Sequence, residues 1–485
     1  MAVKRTPIDL DLPLVLDREA SESFQRQLTG QLRHAILGGQ LAAGARLPST
    51  RALATALGIA RNVAIAAYDD LFADGYLVGR PGSGTYVAAD LSPRVRQSAP
   101  VRDAAPRWLR FPPPPMPLPE PERLGAISFQ PGIPAIAPLA ADVWRAIWRR
   151  VAAQLPPNRY GSPAGEPELR AAIAGYLGRA RAVACRPADV VVTGGALQAL
   201  DLVARATLGA GASVGIEDPG YPLARQVFAA AGATIIPLPV DDDGVQVERL
   251  PQGPAAPLLA YVSPSHQYPL GVRLSVARRI ALLAWAEAND SLIVEDDYDS
   301  EFRFDATPLP SLAGLDTGGR VVYIGTFSKV LSPALRVGYL VAPPALHERV
   351  VALKRLTDFQ TSWPVQRALA TFVAEGHLER HIRRMRRYYA ANRAMLRAAL
   401  APIAHLGRLR GMEAGLHAYL ELREGIDPAR VVRRAYERGV IVTSLDEHYL
   451  GPPDRHGLLL GYGGLTRDEI ATGAGVLMEV IREVA

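Results

Sequence analysis

The stretch GTFSKVLSPALRVGY, residues 325–339, places a lysine in a turn of small and hydroxyl-bearing side chains. Lys329 is one of only three lysines in a chain that contains 54 lysines and arginines in total. Arginine stays protonated in proteins, whereas a lysine amine can lose its proton when it is desolvated. Lys329 is therefore a candidate for amine chemistry, while Lys4 and Lys354 are interpreted as chance survivors of a strong preference for arginine.

Lys329 follows one of several short β-branched runs that alternate with longer helical segments from about residue 127 onward. Strands that alternate with helices predict an α/β fold with a mostly parallel sheet, covered by helices on both faces. Such open sheets bind ligands at the carboxyl ends of their strands, and the lysine turn falls at one of these ends. The expected strands lie in DVVVTGG (189–195), SVGIEDPG (213–220), LLAYVSP (258–264), SLIVEDDY (291–298) and RVVYIGTFS (320–328).

The groups close to Lys329 in the sequence suit a phosphorylated aldehyde. Thr326 and Ser328 offer hydroxyls and Arg336 offers a cation, and these groups, with backbone N–H groups, are what a phosphate needs. An aldehyde needs an amine that can deprotonate. Pyridoxal phosphate (PLP) has both requirements and also needs a carboxylate against its ring nitrogen.

Three further strand ends offer the remaining parts of such a site. The string EDDY supplies a carboxylate in Asp296 or Asp297, with Tyr298 beside it. TGGALQAL (193–200) is a glycine turn that opens a helix, which is a natural phosphate cradle. Tyr221 lies on a tight turn, where its ring could stack on a flat cofactor. Each motif alone also has a structural reading, as an ordinary helix start, a solvated acidic loop or a cation site.

The N-terminal 90 residues have a different pattern, in which short helices precede a hairpin. Apolar spacing predicts helices over 24–37 and 49–57, the second ended by Gly58, and a third helix within 59–77. Two short β-runs around a glycine-rich turn follow within 77–87. This order predicts a winged helix-turn-helix. The third helix is expected to bury one face, made of Ala64, Ala67, Tyr68, Leu71 and Phe72.

Charge placement in this region favours DNA binding, although its acidic and basic residues balance. Arg46, Arg51 and Arg61 fall near helix starts and Arg80 in the wing, whereas the acidic residues of the third helix fall at its far end. Helix N-termini and guanidinium groups suit phosphates and guanine edges. The alternative is a small helical interaction domain with solvated arginines.

The segment from about 31 to 87 resembles the GntR-type DNA-binding domain. The strings that carry this resemblance are RLPSTRALA, then RN, then GYLVGRPGSGTYV. The family usually has a serine that caps the recognition helix where this chain has Ala60, and losing such a cap costs about 1 kcal/mol. The residues that the resemblance implies for contact with double-stranded operator DNA are Arg46, Ser49, Arg51, Arg61, Asn62, Arg80 and Gly82.

The remainder resembles the fold-type I aminotransferases, and the whole chain is similar to the MocR/GabR subfamily of GntR regulators. The matching strings are RYGSPAGEPELR, EDPGYP, YVSPSHQYPLG, EDDYDSEFRF and GTFSKVLSPALRVGY. The resemblance implies a winged helix domain over 1–90 and an aminotransferase-like, PLP-binding domain with a smaller C-terminal subdomain over 127–485. Residues 91–126 are proline-rich and are expected to form a semi-rigid linker.

The resemblance also implies a role for each residue of the site. Lys329 would form a Schiff base with PLP, Asp296 would pair with the ring nitrogen, and Tyr298 would bond the phenolic oxygen. Arg336 would hold the phosphate, and Tyr160 would reach the phosphate of a partner subunit. The other residues expected around the cofactor are Tyr221, Ala196, Leu197, Thr326 and Ser328.

Two departures from ordinary aminotransferases bear on the chemistry. Tyr268 replaces the asparagine that tunes the phenolic oxygen, and His266 or Gln267 is a candidate to compensate. Near the C-terminus the string GLLLGYGGL (457–465) lacks the arginine that binds a substrate carboxylate, and Arg225 is a weak substitute. We therefore expect no amino-acid binding through the usual clamp.

Other features have ordinary interpretations. RHIRRMRRYYAANR (380–393) is expected to be a solvated helix face, with a second DNA contact as the alternative. His448 is interpreted as a surface histidine rather than one that lines the cofactor cleft, and Cys185 as a small core residue. No residues have the spacing of metal ligands, so no metal is expected.

Composition limits the cellular setting. No apolar run reaches the roughly 18–20 residues of a membrane span, and the N-terminus lacks a secretory h-region. A single cysteine excludes an intrachain disulfide. These features predict a cytoplasmic protein with no membrane partner, and a net charge of +6 is compatible with DNA.

The function that we expect is a transcription regulator that senses PLP or a PLP adduct of an amine. The family resemblance implies a homodimer that is domain-swapped head to tail, with a small amine or amino acid as a possible effector. One alternative is an active aminotransferase that carries a DNA-binding head. The other is a DNA-binding scaffold that has lost its cofactor.

Overall fold

The structure, a computed structural model, describes residues 14–90, 125–305 and 309–485. It divides into two compact units, with the division between residues 113 and 114. The proposed linker, 91–126, falls almost wholly outside the described residues. Within the described ranges, no helix is both long and apolar enough to cross a membrane.

The smaller unit is a winged helix-turn-helix, as predicted. Ser23 and Ser49 cap the first two helices, and Gly58 ends the second in a left-handed conformation with φ of 63°. Leu28, Leu32 and Leu71 lie in its core. Its elements are α1 (Phe24–Leu37), α2 (Thr50–Leu57), α3 (Arg61–Ala73), β1 (Leu77–Arg80) and β2 (Gly84–Val87), and the two strands pair antiparallel.

The expected buried face of α3 extends one residue too far. Ala64, Ala67, Tyr68 and Leu71 are buried, but Phe72 is 36% exposed. Phe72 stands in the last turn of the helix, and one edge of its ring lies beside Gly79 of the wing. The face is therefore shorter than the apolar spacing predicts.

The larger unit is built on an eight-stranded sheet. The spatial order is β4–β11–β10–β9–β8–β5–β6–β7, in which β11 and β7 run antiparallel to their neighbours and the other adjacent pairs are parallel. The mostly parallel sheet is thus confirmed. After β3 (Ile127–Ser128), the strands are β4 (Val190–Thr193), β5 (Ser213–Asp218), β6 (Thr234–Asp241), β7 (Gly244–Val245), β8 (Leu259–Val262), β9 (Leu292–Asp297), β10 (Val321–Thr326) and β11 (Gly338–Val341).

Helices pack on both faces of this sheet. In β4, Val190 and Val192 join one apolar cluster and Val191 joins the other, because successive strand residues point to opposite faces. The helices are α4 (Ala141–Ala152), α5 (Pro167–Arg181), α6 (Ala196–Thr207), α7 (Pro222–Ala230), α8 (Val276–Ala288), α9 (Leu312–Leu315), α10 (Pro344–Thr357) and α11 (Trp363–Ala374).

A smaller C-terminal subdomain completes this unit. Its antiparallel sheet has the order β12–β13–β16–β15, while β14 pairs in parallel with β3. The elements are α12 (His377–Leu400), β12 (Gly407–Arg410), β13 (His417–Leu422), α13 (Pro428–Glu437), β14 (Val440–Ile441), β15 (Thr443–Ser444), β16 (Gly457–Gly461) and α14 (Arg467–Val484).

The basic run at 380–393 lies in α12. Met385 and Tyr389 are buried in the main core cluster, whereas Arg383 and Arg387 are not buried. The helix therefore has one apolar face and one solvated basic face. Cys185 packs, partly buried, against the same cluster.

Candidate functional site

A cavity of about 250 Å³ lies in the larger unit where the parallel strands end. Its walls come from the start of α6, the start of α7, the ends of β8 and β9, and the segment after β10. The carboxyl ends of parallel strands meet at one edge of a sheet, so distant segments converge here. The lining residues are Pro131, Gly132, Ala196, Leu197, Tyr221, Tyr261, Tyr268, Asp296, Tyr298, Thr326, Ser328, Lys329, Pro333, Arg336 and His417.

Every residue predicted around the cofactor lines this cavity, with the exception of Tyr160. Tyr160 is 82% exposed, and its ring lies against Phe359 with centroids 4.7 Å apart. Tyr261 lies inside a predicted strand, so the alternation of strand faces could have indicated it. Pro333 lies inside the stretch 325–339 but was not selected. No motif marks the other lining residues that the sequence reasoning missed, Pro131, Gly132 and His417.

Lys329 is held inside the cavity by a single close contact. Its Nζ donates to the carbonyl oxygen of Gly132 at 2.8 Å. Gly132 has φ of 79°, and a Cβ there would lie 2.5 Å from the amine nitrogen, so this approach requires glycine. Burial lowers the pKa of Lys329, while the negative charges of Asp299 and Asp296 oppose that shift. The amine is thus closer to its neutral, nucleophilic form than an exposed lysine.

Asp296 presents a carboxylate oxygen with no partner. Its Oδ2 accepts a hydrogen bond from the Tyr261 hydroxyl at 2.6 Å, but its buried Oδ1 has no hydrogen-bond partner. Burial raises the pKa of Asp296 to about 6. Buried acceptors without partners are rare in proteins, so this oxygen fits a donor group of a bound molecule.

Asp297, the other candidate carboxylate, faces away from the cavity. It accepts from Arg181 Nε at 2.8 Å and from the Tyr323 hydroxyl at 2.6 Å, and Arg181 also pairs with Glu301 at 2.9 Å. Burial alone would raise the pKa of Asp297, but the Arg181 guanidinium and the hydrogen bonds outweigh that effect and lower it. This carboxylate serves a buried ion cluster behind the sheet.

The opposite end of the cavity is shaped for an anion. Ala196 and Leu197 begin α6, whose first N–H groups have no partner within the helix. Arg336, with φ of 50°, donates from Nη2 to the carbonyl oxygen of Gly194 at 3.0 Å. Its cation therefore stands beside the glycine turn.

Lys354 supports that turn from behind and is not a chance survivor. Its side chain is fully buried and its Nζ contacts both carboxylate oxygens of Asp358, at 2.8 and 2.9 Å. The same amine donates to Oε1 of Gln198 at 3.2 Å, and that oxygen accepts from the backbone N–H of Gly194 at 2.6 Å. The interpretation from the sequence was wrong because Lys354 supports a turn that lies far away along the chain.

His448 is also placed differently from its interpretation. It is 5% exposed, and its Nε2 lies 3.2 Å from the hydroxyl of Tyr268, which lines the cavity. Burial lowers the pKa of His448 to about 4. The expected surface histidine is instead a neutral group packed behind the cavity wall.

The cavity offers few cations for an effector carboxylate. Lys329 and Arg336 are the only lysine or arginine among its lining residues, all of which are described. Arg225 does not line it and donates to the carbonyl oxygen of Tyr449 at 3.2 Å.

The smaller unit carries the residues predicted to contact DNA, and all seven are wholly or largely exposed. Arg61 and Asn62 open α3, and Ala60 before them makes no side-chain cap. Arg80 lies over the Tyr86 ring, 4.6 Å from its centroid. The Ser49 hydroxyl is engaged as the cap of α2.

The acidic side chains of α3 lie away from these arginines. Asp70 accepts from Gln25 and Thr29 of α1, and Asp74 pairs with Arg33. None of Arg46, Arg51, Arg61 and Arg80 pairs with a carboxylate of the described residues. These four arginines therefore present guanidinium groups without counter-charges, which suits phosphates.

Comparisons with known proteins match both units of the chain. The family model of the bacterial regulatory proteins of the gntR family matches residues 24–87, and that of aminotransferase class I and II matches residues 136–454. The chain is 38% identical to the probable rhizopine catabolism regulatory protein MocR of Rhizobium meliloti, over 96% of this chain and 95% of that protein.

Two other proteins extend the comparison. The HTH-type pyridoxine biosynthesis transcriptional regulator PdxR of Corynebacterium glutamicum is 36% identical, over 95% of this chain and 96% of its own. The solved structure of LysN, an alpha-aminoadipate aminotransferase of Thermus thermophilus complexed with N-(5'-phosphopyridoxyl)-L-leucine, is 28% identical. It superposes with a TM-score of 0.68, covering 74% of this chain and 93% of that one.

Proposed function

The chain belongs to the GntR-type helix-turn-helix transcriptional regulators that carry an aminotransferase class I and II domain, the MocR group, and on that premise we propose that it regulates transcription in response to PLP or a PLP adduct of an amine. We assign operator binding to residues 1–90, the linker to 91–126 and cofactor binding to 127–485.

The observation that carries the cofactor assignment is the pairing of a buried lysine with an unsatisfied carboxylate oxygen in one cavity. Asp296 Oδ1 has no partner and matches the protonated ring nitrogen of PLP. The Lys329 amine has a lowered pKa and matches the aldehyde. When bound, PLP supplies an electrophilic carbon and an electron-withdrawing ring to an amine ligand.

The protein's own groups then have distinct tasks. Lys329 would hold PLP through its aldehyde group, and Asp296 would face the ring nitrogen and favour its protonated form. Tyr221, buried at the start of α7, offers a ring to stack on the cofactor. The N–H groups of Ala196 and Leu197, the hydroxyls of Thr326 and Ser328, and Arg336 form the phosphate end.

The smaller unit supplies DNA recognition. Arg61 and Asn62 at the start of α3 would reach base edges in the major groove, whereas Arg46, Arg51 and Arg80, with Ser49 and Gly82, would contact the phosphate backbone. Phosphate contacts set position and affinity, and base contacts set sequence preference.

Regulation requires that the ligand distinguish two states of the protein. A ligand changes an equilibrium only by its differential affinity for the two states. We propose a homodimer, domain-swapped head to tail, in which the ligand biases how the paired heads meet the operator. Tyr160, exposed in one subunit, would in such a dimer reach the phosphate of its partner.

The test is an absorbance spectrum of the purified protein with PLP, before and after borohydride reduction. We expect a band at roughly 410–430 nm that reduction removes, with the added mass on the peptide containing Lys329. A flat spectrum would refute the cofactor assignment and favour a DNA-binding scaffold without a cofactor. A gel-shift assay with and without PLP then tests the link to DNA.

A second candidate function is an active aminotransferase with a DNA-binding head. The joint presence of Lys329, Asp296, Tyr298 and Arg336 in one cavity favours it. The absence of a further cation among the lining residues opposes it, because transamination needs a substrate held in reacting geometry. Steady turnover of an amino acid with a 2-oxo acid would establish this alternative.

A further inference from the structure

The resemblance places Tyr268 where aminotransferases carry the asparagine that tunes the phenolic oxygen. Of the three residues 266–268, two are engaged elsewhere. The Gln267 amide donates to the carbonyl oxygens of Pro219 and Tyr268, at 2.9 and 2.8 Å, and its own oxygen accepts from the Leu270 N–H. The Gln267 amide therefore has no free donor, and the Tyr268 hydroxyl is engaged by the His448 ring.

His266, in contrast, contacts the tyrosine that we assign to the phenolic oxygen. Its Nδ1 lies 3.0 Å from the Tyr298 hydroxyl oxygen, and its backbone carbonyl oxygen accepts from the same hydroxyl at 2.8 Å. Tyr298 itself lines the cavity. One residue therefore holds the hydroxyl group with both its ring and its backbone.

Asp299 holds the His266 ring from the other side. Both carboxylate oxygens lie 3.1 Å from Nδ1, and the two side chains are each 1% exposed. The Leu416 N–H donates to Oδ2 of Asp299 at 3.3 Å. The carboxylate is thus oriented by the backbone of the C-terminal subdomain.

These contacts select one tautomer of the imidazole. A bare Nδ1 would turn its lone pair toward two carboxylate oxygens, which is repulsive, so Nδ1 carries the proton. That N–H is shared between Asp299 and the Tyr298 oxygen. Because the tyrosine oxygen accepts, its own hydrogen remains available to the His266 carbonyl oxygen or to a group in the cavity.

The position of the His266 ring has an energetic cost that packing alone does not explain. A Cβ at Gly415, where φ is 76°, would overlap the His266 ring, and one at Gly271, where φ is 70°, would lie 3.0 Å from Nε2. Nε2 is buried without a hydrogen-bond partner, which is unfavourable. A leucine would fill this space without that penalty.

Other titratable groups also face the pair. The His417 ring lies 4.9 Å from the His266 ring between centroids, and burial, together with His266, lowers the pKa of His417 well below its usual value. Asp299 raises the pKa of Lys329 against the larger effect of burial. Ligand atoms of His266, Asp299 and His417 lie within 4.8 Å of one another, but Asp299 is already engaged with Nδ1 and Leu416.

We propose that Asp299 and His266 are positioning residues that replace the missing asparagine by acting through Tyr298. Asp299 fixes the Nδ1–H tautomer, and that N–H donates to the Tyr298 oxygen. With PLP bound, the Tyr298 hydroxyl would donate its hydrogen bond to the ring oxygen instead of to the His266 carbonyl oxygen. This inference rests on the proposed PLP site. The histidine and the aspartate would then perform the task that Tyr268, in the place of the asparagine, does not.

The test is the pH titration of the visible band of the full-length protein with bound PLP. A hydrogen-bond donor to the ring oxygen of PLP stabilises the negative charge on that oxygen once the lysine-linked nitrogen has lost its proton. The donor therefore lowers the pH at the midpoint of the titration. We expect His266→Leu and Asp299→Asn each to raise the midpoint by about one pH unit, since a hydrogen bond to a charged group contributes that much. His266→Asn, whose amide can reproduce the Nδ1–H donor, should stay close to wild type.

A double-mutant comparison separates positioning from packing. Tyr298→Phe should raise the midpoint by at least as much as His266→Leu. Adding His266→Leu to Tyr298→Phe should then change nothing further, because the histidine acts only through the tyrosine. An additive shift in the double variant would overturn the proposal, and so would an unshifted midpoint in His266→Leu.

The outcomes also separate this inference from its premise. If wild-type protein forms no visible band with PLP, the PLP site and the inference both fail. If the wild-type band forms and titrates like that of Asp299→Asn, only the inference fails. Should His266→Leu not fold, Asp299→Asn, which preserves side-chain volume, carries the test together with Tyr298→Phe.

Discussion

The two candidate sites of this chain differ in their exposure to solvent: one lies on the surface and the other is buried. In the smaller unit, the seven residues predicted to contact DNA are exposed. The four arginines among them have no carboxylate partner within the described residues. The cavity of the larger unit instead encloses Lys329, Asp296 and Tyr298, and each contacts a named partner.

This difference predicts how each site responds to change. Exposed charges act over many contacts in a high dielectric and are screened by salt, so each contributes little. Buried polar groups lack water as a substitute partner, so losing one leaves the other unsatisfied. Single substitutions should therefore have large effects in the cavity and small effects in the head.

The largest contrast concerns Lys329. Lys329→Ala should abolish the visible band with PLP completely, because no other lysine lines the cavity, while DNA binding without PLP stays unchanged. Lys329→Arg is the matched control, since it keeps a cation but cannot bond the aldehyde, and it should be equally colourless. A wild-type spectrum in either variant would contradict the assignment.

The next effect concerns stability rather than ligand binding. Asp297→Ala should lower the free energy of unfolding of the larger unit by about 3–5 kcal/mol, because it leaves Arg181 buried with one fewer counter-charge. Thermal unfolding of the full chain measures this. Glu375→Ala, which removes an exposed ion pair with Arg150, should change stability by less than about 1 kcal/mol. Equal effects would mean that burial does not govern these pairs.

Asp296 should matter for PLP and not for the fold. Asp296→Asn should weaken PLP affinity about 100-fold, or about 2.7 kcal/mol, because the ring nitrogen loses its buried charge partner. Stability should hold or rise, since burial already raises the pKa of this carboxyl to about 6. A titration of the visible band against PLP concentration measures the affinity. An unchanged affinity would contradict the assignment of Asp296 to the ring nitrogen.

Arg61 should have a smaller effect, confined to DNA. Arg61→Ala should weaken operator binding about tenfold, the loss of one base-edge contact, and leave the PLP spectrum intact. Arg26→Ala is the matched control, because it removes a charge of α1 that is not a predicted contact. If both variants lose affinity equally, the effect is net charge rather than recognition.

The smallest expected change tests the departure at the start of α3. Ala60→Ser should stabilise the smaller unit by about 0.5–1 kcal/mol, because a hydroxyl would cap N–H groups that Ala60 leaves without a side-chain partner. Chemical denaturation of the full chain, followed by the helical signal, reports this. A destabilised Ala60→Ser variant would mean that the native backbone at this position does not accept a cap.

Much of the fold could be predicted because its determinants are local. The three helices and the hairpin of the head follow from apolar spacing, from serine caps and from Gly58. The five expected strands all formed, because each is a short β-branched run with polar turn residues at its end. The strands β3, β6, β7 and β11 and those of the C-terminal subdomain were not identified, since most of them are short or pair with strands far along the chain.

Only those residues of the candidate site that belong to sequence motifs could be predicted. The motif residues expected around the cofactor at strand ends line the cavity, because parallel strands bring their carboxyl ends together. Gly132 and His417 were missed, since they come from segments that meet the sheet only through the tertiary fold. The surface interpretation of His448 failed for the same reason, as its burial depends on Tyr268.

The sequence by itself determined the two domain types, the order of their elements and the identity of the candidate reactive lysine, because periodicity, turn chemistry and motif residues act over a few positions. The tertiary structure alone showed that Asp297 belongs to a buried ion cluster, which partners Lys354 takes, and that His266 and Asp299 stand behind Tyr298. These are questions of partner and burial, and buried polar groups take their partners from distant segments.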